Sequence, residues 1–463
     1  MTYKSTNPYT AEVLKTFANT TDAEVKQAID KAHSAFLAWK DVSFTERGRI
    51  LQKAADLLRR DVDRYARLLT LEMGKLFSEA KAEVELSAKI FEYYVRNADQ
   101  LLKAEKVPVL DPAEGEAMLV CEPLGVLLAV EPWNFPYYQI ARIIAPQLAA
   151  GNTMLLKHAS IVPQCAAAFD KLMKEAGLPD GAFTNLFATY AQLETIINDP
   201  RVQGVALTGS EGAGSIIAAA AGKALKKSTM ELGGTDALVV LADADVEKTA
   251  KWAVFGRHWN GGQVCVNSKR MIVVDELYDE FLTRYRKGVA GLVAGDPFNP
   301  ATTLAPLSSQ GAADDLKDLI RQAVAHGAKA EEVGPPVPAR GAFLQPTILT
   351  EIGEDNPARY WEFFGPVSML FRAKDEDEAV RIANDSPYGL GGSVFTSDPA
   401  HGAEVAKKIS TGMVFVNHPT KVEADLLFGG IRRSGYGHEL LGIGIKEFVN
   451  RKLIDVVDID AHF

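Results

Sequence analysis

From about residue 105 onward, short apolar runs alternate with longer amphipathic ones, and this alternation constrains the fold more than any other feature. Residues 118–121, 125–130, 154–156 and 205–207 read as strands, with residues 136–150 and 211–226 as the helices between them. A helix between two strands returns the chain to the same end of a sheet, so the pattern predicts βαβ units and a mostly parallel sheet. A second series follows Glu231, with strands expected at 237–240, 270–274, 368–371 and 412–416. Pro297, Pro300, Pro306 and the GPP cluster at 334–336 mark loops within it. The tail 452–459 (KLIDVVDI) reads as a strand whose partner lies outside its own domain, a second subunit included.

The first hundred residues read as helices. Thr21 with Glu24, and Ser43 with Glu46, have the form of capping boxes. Behind them, Val25, Ala28, Ile29, Ala32, Phe36 and Trp39, then Ile50, Leu51, Ala54, Leu57 and Leu58, recur at helical spacing, a core-facing stripe in each case. At 463 residues the chain is too long for one core, and two or three domains are expected. A net charge of −10 argues against a nucleic-acid partner, because phosphate binding needs a basic face. No apolar run reaches the roughly 18 residues of a membrane span, and the amino terminus lacks a signal-like apolar stretch. Cys121, Cys165 and Cys265 are few, odd in number and far apart, so they suggest a reducing cytoplasm and no metal site.

Chemistry enters with NGGQVC at 260–265, which sets one thiol after a glycine pair, and with ELGG at 231–234, which sets a carboxylate beside another. Cys265 is either a small buried hydrophobe or a nucleophile, and glycines allow close approach to the backbone. A nucleophilic thiol needs a lowered pKa or a nearby base. TGS at 208–210 follows an apolar strand and opens a helix, a place for a phosphate or an ordinary glycine turn. Asn134, in WNFP at 133–136, either caps the helix that Pro136 starts or donates to an oxyanion. Lys157 closes a strand, where α/β sheets bind ligands, although a solvated lysine is the commoner occupant of such a position.

The ordered set resembles the NAD(P)-dependent aldehyde dehydrogenase superfamily: WNFP, a strand-ending lysine, TGS, ELGG, GQVC, EFFGP at 362–366 and FGGIRRSGYGHE at 428–439. The resemblance runs the length of the chain and is closest to succinate-semialdehyde dehydrogenases. It implies an α/β fold with a Rossmann-like cofactor domain (1–104 and 125–230), an α/β catalytic domain (231–431) and a small β oligomerisation flap (105–124 and 446–463). It implies Cys265 as nucleophile, Glu231 as general base and Asn134 as oxyanion donor. Lys157 is then the ribose ligand, Gly209 and Ser210 meet the pyrophosphate, Glu362 holds the nicotinamide ribose, and Phe364 and Trp133 wall the ring. The reaction implied is aldehyde oxidation through a thiohemiacetal and a thioester, released by hydrolysis rather than by transfer to coenzyme A.

Many NAD-preferring relatives carry glutamate three residues after the lysine. Here Ser160 stands there, so NADP is expected to be preferred and NAD accepted. Arg142 lies eight residues after Asn134, about 80° around the helix. It matches an arginine that meets the far carboxylate of succinate semialdehyde, the expected substrate, with another small aliphatic aldehyde as the alternative. A second arginine of some relatives is replaced by Trp259, which narrows the tunnel, and His258 or Lys421 is left to supply a cation. Asn267 takes the place of a second cysteine, so no redox switch is expected. Leu427, where relatives have proline, has no functional reading. The resemblance also implies a homodimer or homotetramer. Two other classes compete: a cysteine hydrolase without a cofactor, and a non-catalytic dinucleotide-binding protein.

Overall fold

The computed structural model describes residues 2–109 and 115–460. Met1 and residues 110–114 and 461–463 lie outside the described residues, and with them parts of both expected flap segments.

A hairpin, β1 (Tyr3–Thr6) and β2 (Val13–Phe17), precedes the helices, where the sequence pattern predicts helices alone. These strands are too short for a periodic signal, and a buried tertiary contact helps hold them: the Tyr3 hydroxyl donates to the Ala188 carbonyl at 2.7 Å. Four helices follow, α1 (Asp22–Trp39), α2 (Phe44–Arg60), α3 (Val62–Met73) and α4 (Phe77–Leu101). Both halves of the Thr21–Glu24 capping box form on α1. On α2 only half does, because Ser43 accepts from the Glu46 N–H while the Glu46 carboxylate turns to Arg49. Both stripes are buried apart from Phe36, which is half-buried.

Beyond β3 (Glu105–Val107) and β4 (Glu116–Pro123) comes the first alternating series. It comprises β5 (Val126–Glu131), α5 (Pro136–Ala150), β6 (Thr153–His158), α6 (Pro163–Ala176) and β7 (Phe183–Asn185). It continues through α7 (Tyr190–Asn198), β8 (Val202–Thr208), α8 (Glu211–Lys223) and β9 (Lys227–Glu231). The second series begins with β10 (Ala237–Val240), α9 (Val246–His258), β11 (Arg270–Val274), α10 (Asp275–Ala290) and α11 (Gln310–Ala325). Next are β12 (Lys329–Glu332), β13 (Thr347–Thr350), β14 (Val367–Ala373), α12 (Glu376–Asn384) and β15 (Gly392–Phe395). The chain closes with α13 (Pro399–Lys408), β16 (Phe415–Val416), β17 (Gly435–Tyr436), α14 (Leu441–Ile445) and β18 (Val449–Val456).

Two larger sheets result. One has the order β17-β9-β8-β5-β6-β7, parallel except for β17, and the other β12-β13-β14-β11-β10-β15-β16, parallel except for β12. The fold is α/β, as expected. Of the strand expected at 412–416, only Phe415 and Val416 pair. The tail strand pairs within this chain: β18 runs antiparallel to β4 from Val449–Pro123 to Val456–Glu116, and β3 completes a three-stranded sheet.

What positions the site is α5. All fifteen of its residues are buried, so it carries no solvent-facing polar stripe. Its first turn is capped from α4 rather than by Asn134: Glu83 Oε1 accepts the N–H groups of Tyr137 (2.8 Å) and Tyr138 (3.2 Å). The Glu83 carboxylate is in turn paired with the buried Lys75 ammonium. With that cap supplied, Asn134 is free for other work.

Candidate active site

The motif residues collect where the carboxyl ends of one sheet meet the amino ends of the other. Asn134 follows β5, Gly209 and Ser210 follow β8, and Glu231 ends β9. Cys265 lies in the approach to β11, Glu362 in the approach to β14, and Gly233 and Gly234 in the approach to β10. Cys265, Glu231, Asn134, Gly209, Ser210, Glu362, Phe364 and Trp133 share the wall of one cavity of about 240 Å³. A larger open depression of about 670 Å³ lies near Tyr278 and Arg372 and holds none of them.

The turn that leads into Cys265 is left-handed at three successive residues. Asn260, Gly261 and Gly262 all have positive φ, at 54°, 63° and 78°. Such angles suit glycine and, among other residues, asparagine best. Asn260 is held by its side-chain amide, which donates to the Asn134 carbonyl at 3.0 Å, and by its N–H, which donates to Glu79 Oε1 at 3.0 Å. A Cβ on Gly262 would stand 2.4 Å from the Gly365 carbonyl oxygen. Gly262 therefore serves the approach of the EFFGP segment, where the sequence suggests room for a ligand.

Cys265 is half-buried at the cavity wall. Burial pushes its thiol well above the usual value, the Glu231 carboxylate pushes the same way, and Lys269 and Arg142 oppose them. The thiol pKa is therefore not depressed, and a nearby base must take its proton. Glu231 is the carboxyl beside it, and burial pushes that carboxyl up to about 7, against the pull of Arg142. Both Glu231 oxygens lack a hydrogen bond of good geometry. The Asn134 amide donates to the Gln263 carbonyl at 3.0 Å, and its oxygen accepts from Gln139 at 2.9 Å. The Cys265 N–H donates to no protein acceptor among the described residues.

The cofactor side fits a dinucleotide. Lys157 is 4% exposed, yet its ammonium has no hydrogen bond or ion pair among the described residues and faces only the rings of Tyr190 (5.0 Å) and Tyr3 (5.9 Å). Burial alone lowers it to about 8. Ser160 lies three residues on, half-buried. At the start of α8 the Ser210 hydroxyl accepts the Ala213 N–H at 3.3 Å, and a Cβ on Gly212 would meet nothing within 4 Å. Trp133 and Phe364 meet edge to face at 5.8 Å. Glu362 packs so closely that a Cβ on Gly233 would lie 2.3 Å from its carboxylate.

Two expectations are corrected. Arg142 lines neither this cavity nor its neighbour. Its guanidinium is committed inside the protein, to Glu439, to Thr208 Oγ1 (2.9 Å), to the Tyr138 hydroxyl (3.1 Å) and to Glu231 (3.5 Å). It also lies over the rings of Tyr138 and Phe428. The 80° offset along α5 sets it behind Glu231, with its charge paired inside the protein. His258 supplies no cation either, because burial and the Arg257 charge lower it to about 3. Trp259 stacks on Phe255 (6.2 Å, 21°) and packs on Phe135 (5.0 Å). It lines a second depression of about 300 Å³ with Val266, Asn267, His418 and Lys421.

The model of the aldehyde dehydrogenase family matches residues 1–454. The chain belongs to the aldehyde dehydrogenase family. Among curated relatives, a succinate-semialdehyde dehydrogenase (NADP+) of Deinococcus radiodurans is 48% identical over 98% of this chain and 94% of its own length. A Mycobacterium avium protein of the same description is 42% identical over 97% of this chain and 95% of its own. The crystal structure of succinic semialdehyde dehydrogenase from Streptococcus pyogenes in complex with NADP+ matches with a TM-score of 0.96 at 46% identity, covering 98% of this chain and 100% of that one.

Within this aldehyde dehydrogenase fold, several wall and backing groups have no role in the sequence reading. Gln139 and Thr208 line the cavity, Glu439 pairs with Arg142, and Glu131 is buried behind them. Glu439 ends the FGG motif, so its position was visible while its partner was not. Burial raises Glu131 well above the carboxylate range, and raises Glu439 too. Glu231, Glu439 and Glu131 share the field of one guanidinium, and burial disfavours the ionised form of each. Among the described residues there is no metal-holding cluster and no helix long and apolar enough to cross a membrane.

Proposed function

We propose that this chain oxidises succinate semialdehyde to succinate and takes NADP in preference to NAD. The observation that carries the reading is the single cavity joining Cys265, Glu231 and Asn134 to Gly209, Ser210, Glu362 and Phe364. The relatives' descriptions supply the substrate and cofactor. Lys157 and Ser160 would hold the adenosine ribose and its 2′-phosphate, since an unpaired buried ammonium and a hydroxyl both favour an anion. The six-stranded sheet with 1–104 and 125–230 is then the cofactor domain, 231–431 the catalytic domain, and the three-stranded sheet the flap of a homodimer or homotetramer. The chain works in the cytoplasm.

Glu231 takes the Cys265 proton, and the thiolate attacks the aldehyde carbon, forming a C–S bond and an oxyanion. The Cys265 N–H, together with the Asn134 amide turned from the Gln263 carbonyl, stabilises that oxyanion. A nicotinamide, when bound, supplies a two-electron acceptor for the hydride on the same carbon. Glu231 releases the thiol proton to solvent and then deprotonates a water that attacks the thioester; the C–S bond breaks, and the carboxylic acid leaves with the thiolate restored. No group of coenzyme A size is needed, because the base sits on the wall of a small cavity.

The deciding experiment follows NADP reduction with succinate semialdehyde, in wild type and in Cys265→Ala. Wild type is expected to turn over and Cys265→Ala to be inactive; activity in the variant, or none in wild type, overturns the reading. The pH dependence follows from Glu231. Its carboxyl is protonated below about 7 and is a base only above it. Hydrolysis-limited turnover is therefore expected to rise through pH 7 and level off. Glu231→Gln should lose that limb and about 10²–10⁴ in rate. A flat profile in wild type between pH 5.5 and 8.5 would remove Glu231 from the base role.

A further inference from the structure

Lys269, just before β11, has no role in the reading so far. It is fully buried, and its backbone carbonyl accepts from the Met369 N–H of β14 at 3.0 Å. Its ammonium reaches three acceptors: the Val264 carbonyl at 2.8 Å, the Cys265 carbonyl at 2.7 Å and Glu362 Oε1 at 3.1 Å. Two of its three donors hydrogen-bond to the carbonyls, and the Glu362 contact is an ion pair. Glu362 Oε1 also accepts the Gly234 N–H at 3.0 Å. One cation thus ties the nucleophile turn, the glycine turn after Glu231 and the carboxylate expected to hold a ribose.

The Val264 carbonyl belongs to the same peptide unit as the Cys265 N–H. That N–H is unbonded and is the proposed oxyanion donor. A peptide whose carbonyl accepts a bond becomes a stronger donor at its N–H, by about 10–30% for a neutral bond, and charge-assisted bonds are stronger than neutral ones. The Cys265 carbonyl, held on the next peptide, stops the turn from rotating the thiol away.

We propose that Lys269 is the positioning residue of the nucleophile: through the peptides on either side of Cys265 it orients the thiol and strengthens the Cys265 N–H as an oxyanion donor, while its link to Glu362 couples that turn to the cofactor side. The inference rests on Cys265 being the nucleophile. Lys269 touches neither substrate nor reacting atoms. The charged groups facing the thiol are Glu231 and Glu362, which disfavour the thiolate, and Lys269 and Arg142, which favour it. Lys269 and Arg142 are the two cations of that set, and Arg142 is already committed to Glu439.

The test reads the thiol without cofactor. Iodoacetamide alkylation of Cys265, followed by peptide mass so that Cys121 and Cys165 are scored apart, is measured against pH for wild type, Lys269→Met and Lys269→Gln. Glutamine keeps N–H donors for a carbonyl but no charge. The expected result is a midpoint at least one pH unit higher in both variants. kcat should fall at least tenfold in Lys269→Met, with partial recovery in Lys269→Gln, and the KM for aldehyde should change less than kcat. A wild-type alkylation profile with kcat within twofold in a folded Lys269→Met would overturn the proposal. So would failure of both variants to fold by circular dichroism, which would make the ammonium a fold-holding group. Inactivity of wild type toward succinate semialdehyde would instead sink the functional reading and leave the alkylation comparison standing.

Discussion

Two buried cations stand at opposite flanks of the site, and their surroundings could hardly differ more. Arg142 is ion-paired with Glu439 and Glu231 and donates to Thr208 Oγ1 and the Tyr138 hydroxyl. Lys157 has no polar partner at all among the described residues. One matches a family position that meets a substrate carboxylate and the other a position that holds the adenosine ribose, yet only Lys157 is without a polar partner among the described residues. A buried charge paired with buried carboxylates belongs to the protein's own electrostatics, and a buried charge with no polar partner is a receptor. The lesson is that the ligand-facing cation is recognised by what it lacks.

The comparison breaks most readily at Arg142. Removing it in Arg142→Met leaves Glu439, Glu131 and Glu231 buried without a cation, at a cost of about 3–5 kcal/mol. The urea midpoint is expected to fall accordingly, and adding Glu439→Gln to the same variant should restore part of it. Whatever activity survives should drop equally for succinate semialdehyde and butanal, because the guanidinium acts behind Glu231. A loss confined to the acidic aldehyde would put Arg142 on the substrate and erase the contrast drawn here.

Lys157→Met should do the reverse. No native polar contact is lost and a desolvated charge is removed, so stability is expected to hold or rise. The kcat/KM for NADP is expected to fall about 10- to 100-fold, near the ~1.5–3 kcal/mol of a hydrogen bond to a charged group. NAD, lacking the 2′-phosphate, should suffer less. Steady-state kinetics with both cofactors, beside a melting curve, checks the pair of outcomes. A destabilised variant with unchanged NADP kinetics would show Lys157 to be as structural as Arg142.

These two residues also mark how far the sequence was legible. Local backbone chemistry was readable: the glycines around Cys265 and Glu231, Pro136 at the first turn of α5, and the apolar strands that end near Lys157 and Thr208. Those signals assembled most of the wall of the cavity from segments more than a hundred residues apart. Charge burial was not readable, since Arg142, Lys269 and Glu439 look the same in a sequence whether they face water or one another. Rotation along α5 gave Arg142 an angle but no partner. Short strands escaped for a different reason: β9 (KSTME) has one apolar residue, and it pairs because β8 and β17 flank it on either side.

The smallest expected effect lies at the aldehyde end. With Arg142 turned inward and His258 neutral, Lys421 is the remaining cation of those considered for the substrate carboxylate. It lines the depression beside Trp259, its side chain is 41% exposed, and its ion-pair partner Glu423 is 3.8 Å away. A charge that wet contributes about 0.2–1 kcal/mol in a pair, which is a factor of roughly 1.5–5. Lys421→Ala is therefore expected to lower kcat/KM for succinate semialdehyde by no more than about fivefold at low salt and to leave butanal unchanged. Raising the ionic strength should shrink the difference, since solvent-exposed charges are screened and buried ones much less so. A hundredfold, salt-insensitive loss would mean that Lys421 closes over the substrate out of water, and the aldehyde end would then join Lys157 on the receptor side of the comparison.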